Sequence, residues 1–183
     1  MVVNDVVYLA GDSAMIDDTY ALDVVPSPKV FAVGDLMFGW CGSFRMANIL
    51  QYGIKYPKRR SGEPADRYIK MKLTSAIRKA MLDGGVVDSN SESALPGDML
   101  VGYEKRLYKI QQDFSAVEST RGFITVGAGC QFALGAVALD WPIKDNVQSR
   151  IKTIMGIVSG LCSAVVAPYH IIRSDSKEIE TYG

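Results

Sequence analysis

Short runs of apolar and β-branched residues open the chain and predict strands rather than helices. Two such runs flank Asn4-Asp5 and predict a hairpin whose second strand ends at Gly11-Asp12-Ser13. Gly34-Asp35 predicts the turn of a second hairpin, with strands at residues 29–33 and 36–41. The strand at 36–41 is apolar on both faces, which indicates that it is buried between two layers.

Helical spacing of apolar residues follows these strands. Ser43 is a suitable N-cap for a first helix. A second helix has an apolar residue at every fourth position from Ile69 to Met81, and Asp83-Gly84-Gly85 is a typical helix end. Residues 86–97 are polar and rich in Ser, so they predict a flexible connection.

The second half of the chain repeats the order of strands followed by helices. Its charged last residues, 174–183, predict a mobile tail, which leaves residues 1–173 as one domain. The expected elements are strands at 99–103, 106–110 and 122–126, a small-residue helix from Gln131 to Trp141-Pro142, a long helix capped by Asp145 and reaching about Ala164, and a strand at 169–172.

This order of elements predicts an α+β fold. Strands that are apolar on both faces need a covering layer on each side. A four-layer αββα sandwich, with two sheets face to face and a pair of helices outside each sheet, meets that requirement.

Composition narrows the functional classes. The 183 residues are enough for one domain with a sizeable core. The 20 basic and 20 acidic side chains cancel, which argues against nucleic-acid binding. The absence of a long apolar run or of a signal-peptide pattern argues against membrane insertion and export, and three widely spaced cysteines suit a reducing compartment. We therefore expect a cytoplasmic protein.

Few residues offer familiar catalytic chemistry. The only histidine, His170, lies in an apolar segment and is more typical of a structural residue than of a catalytic base. Cys41 and Cys130 lack an accompanying base and are more typical of buried thiols than of nucleophiles. There is no zinc-ligand cluster, phosphate-binding loop or complete dinucleotide fingerprint, so we expect neither a metal nor a cofactor.

Five motifs nevertheless occur together in a fixed order. They are Val7-Tyr-Leu-Ala-Gly-Asp-Ser13, Lys29-Val-Phe31, Phe38-Gly-Trp-Cys-Gly-Ser-Phe-Arg-Met46, Leu100-Val-Gly-Tyr103 with Arg106-Leu-Tyr108, and the stretch from Gly122-Phe123 to Phe132-Ala-Leu-Gly-Ala136. Together these motifs resemble proteasome β-subunits and their bacterial HslV-type relatives, especially the small proteasome-like proteins encoded by bacteria and phages.

The resemblance implies the αββα sandwich of N-terminal-nucleophile hydrolases. It also implies ancestry among threonine-type endopeptidases that cleave polypeptides. Members of this family usually form homo-oligomeric rings of six or seven subunits, often stacked, and often work with a separate AAA+ ATPase. In their mechanism the hydroxyl of an N-terminal Thr attacks the peptide carbonyl, and its own α-amine, or a water beside it, serves as the base.

The resemblance also assigns site residues. Asp12 matches the acidic partner of the catalytic lysine, and Lys29 matches that lysine. Gly39 matches the glycine whose backbone N–H forms the oxyanion hole. Ser163 is placed to fill part of the role of an acidic residue that the family keeps near the Thr amine.

The same comparison exposes departures from the family pattern. No Thr precedes Thr19, Ala128 stands where the family often has a Ser, and no carboxylate accompanies Ser163. We therefore expect a ring subunit that is inactive with the sequence given. Two alternatives remain: an active threonine peptidase whose true start lies a few codons upstream, and a purely structural assembly protein such as a component of a phage particle.

Overall fold

A computed structural model describes residues 1–88 and 94–183; residues 89–93, within the predicted connection, lie outside the described residues. The strands are β1 (Val2–Val3), β2 (Val6–Gly11), β3 (Ala14–Ile16), β4 (Leu22–Val24), β5 (Val30–Val33), β6 (Leu36–Gly42), β7 (Gly97–Tyr103), β8 (Arg106–Ile110), β9 (Ala116–Glu118), β10 (Tyr169–Arg173) and β11 (Ile179–Tyr182). The helices are α1 (Phe44–Asn48), continued by a π-helical turn (Ile49–Gly53), α2 (Ala65–Arg67), continued by π-helical Tyr68–Leu73 into α3 (Thr74–Asp83), α4 (Cys130–Asp140) and α5 (Val147–Leu161).

The strands form two main antiparallel sheets and a separate small one. The first sheet has the order β1-β2-β10-β11, and the second has the order β5-β6-β7-β8-β9. Both predicted hairpins are confirmed, since Val3 lies opposite Val6 and Val33 opposite Leu36. The remaining strands, β3 and β4, pair only with each other.

Alternating side chains of β2 face two different layers, as a pleated strand requires. Val7 and Leu9 pack between the two sheets with Met37 of β6. Tyr8 packs on the other side with the core formed by α4 and α5. A third core joins the second sheet to the helices α1–α3. The layer order is therefore helix–sheet–sheet–helix, which confirms the α+β αββα sandwich.

The helices of the first pair agree with the sequence pattern. The Ser43 hydroxyl accepts a hydrogen bond from the Met46 N–H at 3.2 Å, which confirms it as the cap of α1. The apolar stripe from Ile69 to Met81 is completely buried. No helix among residues 1–88 and 94–183 combines the length and the apolar content needed to cross a bilayer.

The strand expected at residues 122–126 is wrong. Phe123 is buried and residues 124–126 are half-buried, but the segment forms no ladder, and β9 takes the edge of the second sheet instead. Its polar groups bond elsewhere: Gly122 O accepts from Val2 N, and the Thr125 hydroxyl donates to Cys130 O. β-Branched residues favour a half-buried, strand-like environment, but a segment that contains them does not have to belong to a sheet.

Two boundaries near the C-terminus also differ from expectation. The last helix starts at Val147 and ends at Leu161, and Asn146, with φ of 49°, occupies the cap position expected for Asp145. The tail expected to be mobile contains β11, which pairs with β10 from Tyr169–Tyr182 to Ile172–Ile179. Burial alternates along β11, with Ile179 and Thr181 exposed and Glu180 and Tyr182 half-buried, as in an edge strand with one solvated face.

His170 of β10 is buried and links three segments of the fold. Its Nε2 lies 3.2 Å from the Ser13 hydroxyl, and its Nδ1 lies 3.1 Å from the Thr181 hydroxyl. Because the Ser13 hydroxyl donates to Pro168 O, it accepts from the Nε2–H of a neutral ring. Burial lowers the pKa of His170, and the carboxylate of Asp12 opposes this effect.

The free energy of unfolding should therefore fall as the pH drops below the ordinary His value of 6.5. In that range the unfolded chain binds a proton that the folded imidazole resists, and the loss is complete once the pH passes below the folded pKa. The measurement is the urea midpoint between pH 8 and 5 for the wild type and for His170→Gln. This comparison separates the imidazole from the Met1 amine, whose pKa burial lowers to about 5. Equal pH dependence in both proteins would contradict a role for His170.

Candidate active site

A cavity of about 530 Å³ lies where the ends of β2 and β6 meet the helices α4 and α5. Its walls are mostly apolar, and its polar end contains Asp12 and Lys29. Gly39 also lines it, as do Met1 and Ala128. Three of the four predicted site residues therefore share one cavity.

Asp12 and Lys29 form a well-supported ion pair. Lys29 Nζ donates to Asp12 Oδ1 at 2.9 Å, and the two side chains are only 12% and 13% exposed. The other carboxylate oxygen accepts from Ala14 N at 2.7 Å and from Val166 N at 3.4 Å. Asp12 therefore stays where the end of β2 places it, and it holds the lysine ammonium at the cavity.

Gly11 allows the backbones of β2 and β5 to approach at this point. A Cβ on Gly11 would lie 3.0 Å from the Cβ of Lys29, which is tighter than ordinary van der Waals contact. The glycine thus leaves room for the first carbon of the lysine side chain beside the ion pair.

Gly11→Ala is expected to lower the free energy of unfolding by about 1 kcal/mol, because overpacking would displace Lys29. Urea unfolding at neutral pH measures the effect. Gly135→Ala is the matched control, since a Cβ there meets no atom within 4 Å. In the interior of α4 that change should stabilise by about 0.5–1 kcal/mol. If Gly11→Ala instead raised the free energy of unfolding, the space beside Lys29 would have to accommodate a methyl group without strain.

The register of β6 determines which glycine N–H is free. Trp40 N donates to Lys29 O at 3.1 Å, toward β5. Successive N–H groups of a strand point to opposite edges, so the N–H of Gly39 points toward its partner Leu100 in β7. By the same alternation, the N–H of Gly42 points away from β7, and Gly42 also lines the cavity. The oxyanion-type donor inferred for Gly39 is therefore better placed at Gly42, a second glycine at the end of the same strand.

Three residues lining the cavity carry a hydroxyl or a thiol: Tyr8, Cys41 and Thr125. The Thr125 hydroxyl is occupied by its hydrogen bond to Cys130 O. Burial raises the pKa of the Cys41 thiol, which disfavours the reactive thiolate. Among the described cavity residues, none is a hydroxyl or thiol paired with a base.

Ser163 is the predicted site residue that the structure leaves apart. It is exposed in the turn after α5, and it does not line the cavity, although Ala164 and Val165 do. Within the described residues, no group of three or more His, Cys, Asp or Glu side chains could hold a metal ion.

One edge of β2 borders the cavity without a partner strand. Tyr8 exchanges backbone hydrogen bonds with Met1, which extends the β1 ladder by one position. Beyond Tyr8, residues 9–11 pair with β10 on one side, and no described strand pairs with them on the β1 side. An extended segment placed there would run along β2 toward Asp12.

Comparison with solved structures identifies this architecture. No protein-family model and no curated protein sequence matches the chain. The fold is similar to that of Thiobacillus denitrificans BPH, with a TM-score of 0.71, 13% identity and coverage of 93% of this chain and 92% of that one. The BPH protein is also known in complex with epoxomicin.

Two further structures show the same likeness. Eukaryotic HslV from Trypanosoma brucei has a TM-score of 0.63 and 15% identity over 93% of this chain and 94% of its own. The helical assembly of the Anbu complex from Pseudomonas aeruginosa has a TM-score of 0.66 and 13% identity over 96% of this chain and 80% of its own. The chain therefore has the proteasome-like fold of the N-terminal-nucleophile hydrolases.

Proposed function

We propose that the chain is a proteasome-like subunit that assembles with copies of itself into a ring, and that its site does not cleave peptides with the residues given. The observation that carries this proposal is the combination found at the cavity. The Asp12–Lys29 pair is in place, yet no described residue there offers an activated hydroxyl or thiol. The pair fits a peptidase ancestry, and the missing nucleophile fits an inactive subunit.

Self-assembly rests on the likeness to HslV and to the Anbu complex, whose structure is a helical assembly. A ring of six or seven copies, possible stacking of two rings and an AAA+ ATPase partner are proposed from the resemblance alone, as is a cytoplasmic location. Native mass spectrometry tests the ring directly. A strict monomer at micromolar concentration would contradict it.

The purified chain is expected to give no peptide cleavage and no covalent adduct with an epoxyketone such as epoxomicin. This reagent is chosen because the similar BPH protein has been solved in complex with it. Intact-mass spectrometry after incubation, alongside a fluorogenic peptide assay, measures both outcomes. An adduct would overturn the inactive assignment, and its position would identify the nucleophile.

The active-peptidase alternative is favoured by one observation, the open edge of β2 beside the cavity. Residues ahead of Met1 in a longer product could extend β1 along residues 9–11 and bring a terminal Thr to the Asp12–Lys29 pair. In that product, Gly42 would supply the N–H that stabilises the developing oxyanion. Reading the codons upstream of Met1 for an in-frame Met-Thr four to six codons away distinguishes this alternative from the inactive subunit.

A further inference from the structure

The hairpin of β3 and β4 borders the cavity through Ala14, Met15 and Ile16 and leaves apolar side chains partly exposed to solvent. Ile16 is 42% exposed, Leu22 47% and Val24 50%, and the pairing of the two strands involves no third strand. An isolated two-stranded sheet is only marginally stable in water. Exposed apolar residues on such a sheet are typical of a surface that another molecule covers.

The tip of this hairpin is closed by hydrogen bonds around an exposed aromatic residue. Tyr20 is 90% exposed and has φ of 64°, a left-handed conformation that is unfavourable for an aromatic residue. Asp17 holds the tip, because Oδ1 accepts from Thr19 N at 2.8 Å and from Ala21 N at 3.0 Å. The Thr19 hydroxyl also donates to Oδ1 at 2.7 Å, and this bond together with the two backbone bonds lowers the pKa of Asp17. The structure thus fixes a tyrosine in solvent, which is how rigid aromatic anchors of interfaces are presented.

The hairpin is also acidic. Residues 13–28 contain Asp17, Asp18 and Asp23 and no Lys or Arg. All three carboxylates are exposed, and none takes part in an ion pair with any residue the structure describes. A partner surface for this tip must therefore combine positive charge with an apolar depression.

A groove on the opposite helical layer has these properties. It lies between the end of α1 with its π-helical turn and α3, and its volume is about 790 Å³. Ile49 and Ala80 contribute apolar lining, and Arg45 and Lys55 contribute exposed positive charge. Neither cation belongs to an ion pair among the described residues, and no residue of the hairpin lines the groove of its own chain.

We infer that the Tyr20 tip of one copy docks into this groove on a second copy, with Tyr20 against the apolar lining and Asp17 and Asp18 facing Arg45 and Lys55. Because the tip and the groove are different surfaces, the contact is head-to-tail. Repetition of such a contact produces a closed ring or a helical filament rather than a two-fold dimer. The inference rests on the self-assembly proposed above and names the contact that produces it.

Tyr20→Ala should weaken self-association about 30-fold, as expected when an interface anchor is removed. Sedimentation velocity and native mass spectrometry of the full chain measure this effect, with circular dichroism to verify folding. Leu139→Ala is the matched control, because Leu139 is 91% exposed on α4, outside both surfaces. Assembly of Tyr20→Ala indistinguishable from wild type, or equal weakening by Leu139→Ala, would overturn the docking while leaving the ring proposal intact.

A charge exchange tests the pairing of the two surfaces. Asp18→Lys and Lys55→Asp should each weaken assembly, and the double variant should recover most of the loss. Additive weakening in the double variant would overturn the assignment of these partners. A wild-type chain that is monomeric would contradict the proposed self-assembly itself and the docking with it.

Discussion

Replacing Asp12 by Ala is expected to lower the free energy of unfolding by about 3–5 kcal/mol, the range found when one member of a buried ion pair is removed. The change leaves the Lys29 ammonium without its partner at a position where its side chain is 12% exposed. It also removes the acceptor of the Ala14 N–H. Urea unfolding at neutral pH measures the loss.

Related variants separate these contributions. Asp12→Asn keeps an acceptor for the backbone while removing the charge, so it should be less damaging than Asp12→Ala. Lys29→Met should also be milder, because the carboxylate keeps its backbone donors. The double variant Asp12→Ala with Lys29→Met should be more stable than Asp12→Ala alone, since the unpaired charge is gone.

The exposed pair of Lys79 and Asp83 is the control for this series. Its side chains are 75% and 64% exposed, so Lys79→Met should cost less than about 1 kcal/mol. An Asp12→Ala protein as stable as the Lys79→Met control would show that water reaches the Asp12–Lys29 pair freely.

Sequence patterns predicted the parts of the fold that depend on local chemistry. The hairpin turns at Asn4-Asp5 and Gly34-Asp35, the Ser43 cap and the buried stripe from Ile69 to Met81 each follow from a few neighbouring residues. The prediction of a strand at 122–126 is wrong because the hydrogen-bond partners of this segment, Val2 and Cys130, do not form a ladder with it. Whether extended backbone joins a sheet depends on those partners rather than on its own composition.

The candidate site likewise has one part that the sequence predicted and one part that it did not. The Asp12–Lys29 pair was predictable because the family resemblance carries both residues at nearly the expected separation. The choice between Gly39 and Gly42 was not, because the direction of an N–H depends on strand register. The structure establishes the direction of these N–H groups, because Trp40 N donates to Lys29 O in β6's pairing with the chain ahead of β5.

Adding residues ahead of Met1 should create peptidase activity in one register only. Met1 lies opposite Tyr8, so the fifth residue before Met1 would lie opposite Ser13 if β1 continued along β2. Val2 packs toward the space between the sheets, where Gly11 meets Lys29, whereas Met1 and Val3 pack toward α4 and α5. By alternation, the fifth added residue shares the face of Val2, while the fourth and the sixth face the helices.

The experiment uses three extended proteins with a Thr at the fourth, fifth or sixth position before Met1 and spacers free of Ser, Thr and Cys. Each must be trimmed so that the Thr is N-terminal. The fifth-position protein is expected to form an epoxyketone adduct and cleave a fluorogenic peptide, and the other two should react at least about 100-fold more slowly. Lys29→Met in the active register should abolish the reaction, because the ammonium that favours the free amine is lost.

The three extended proteins also show whether the missing Thr is the only defect of the site. If no register reacts although all three extended proteins fold, the missing Thr is not the only defect. The replacement of the family Ser by Ala128 and the lack of a carboxylate near Ser163 then become the explanation. Ala128→Ser in the fifth-position protein tests the first of these, since Ala128 already lines the cavity. A reaction that appears equally in all three registers would show that β1 does not continue along β2.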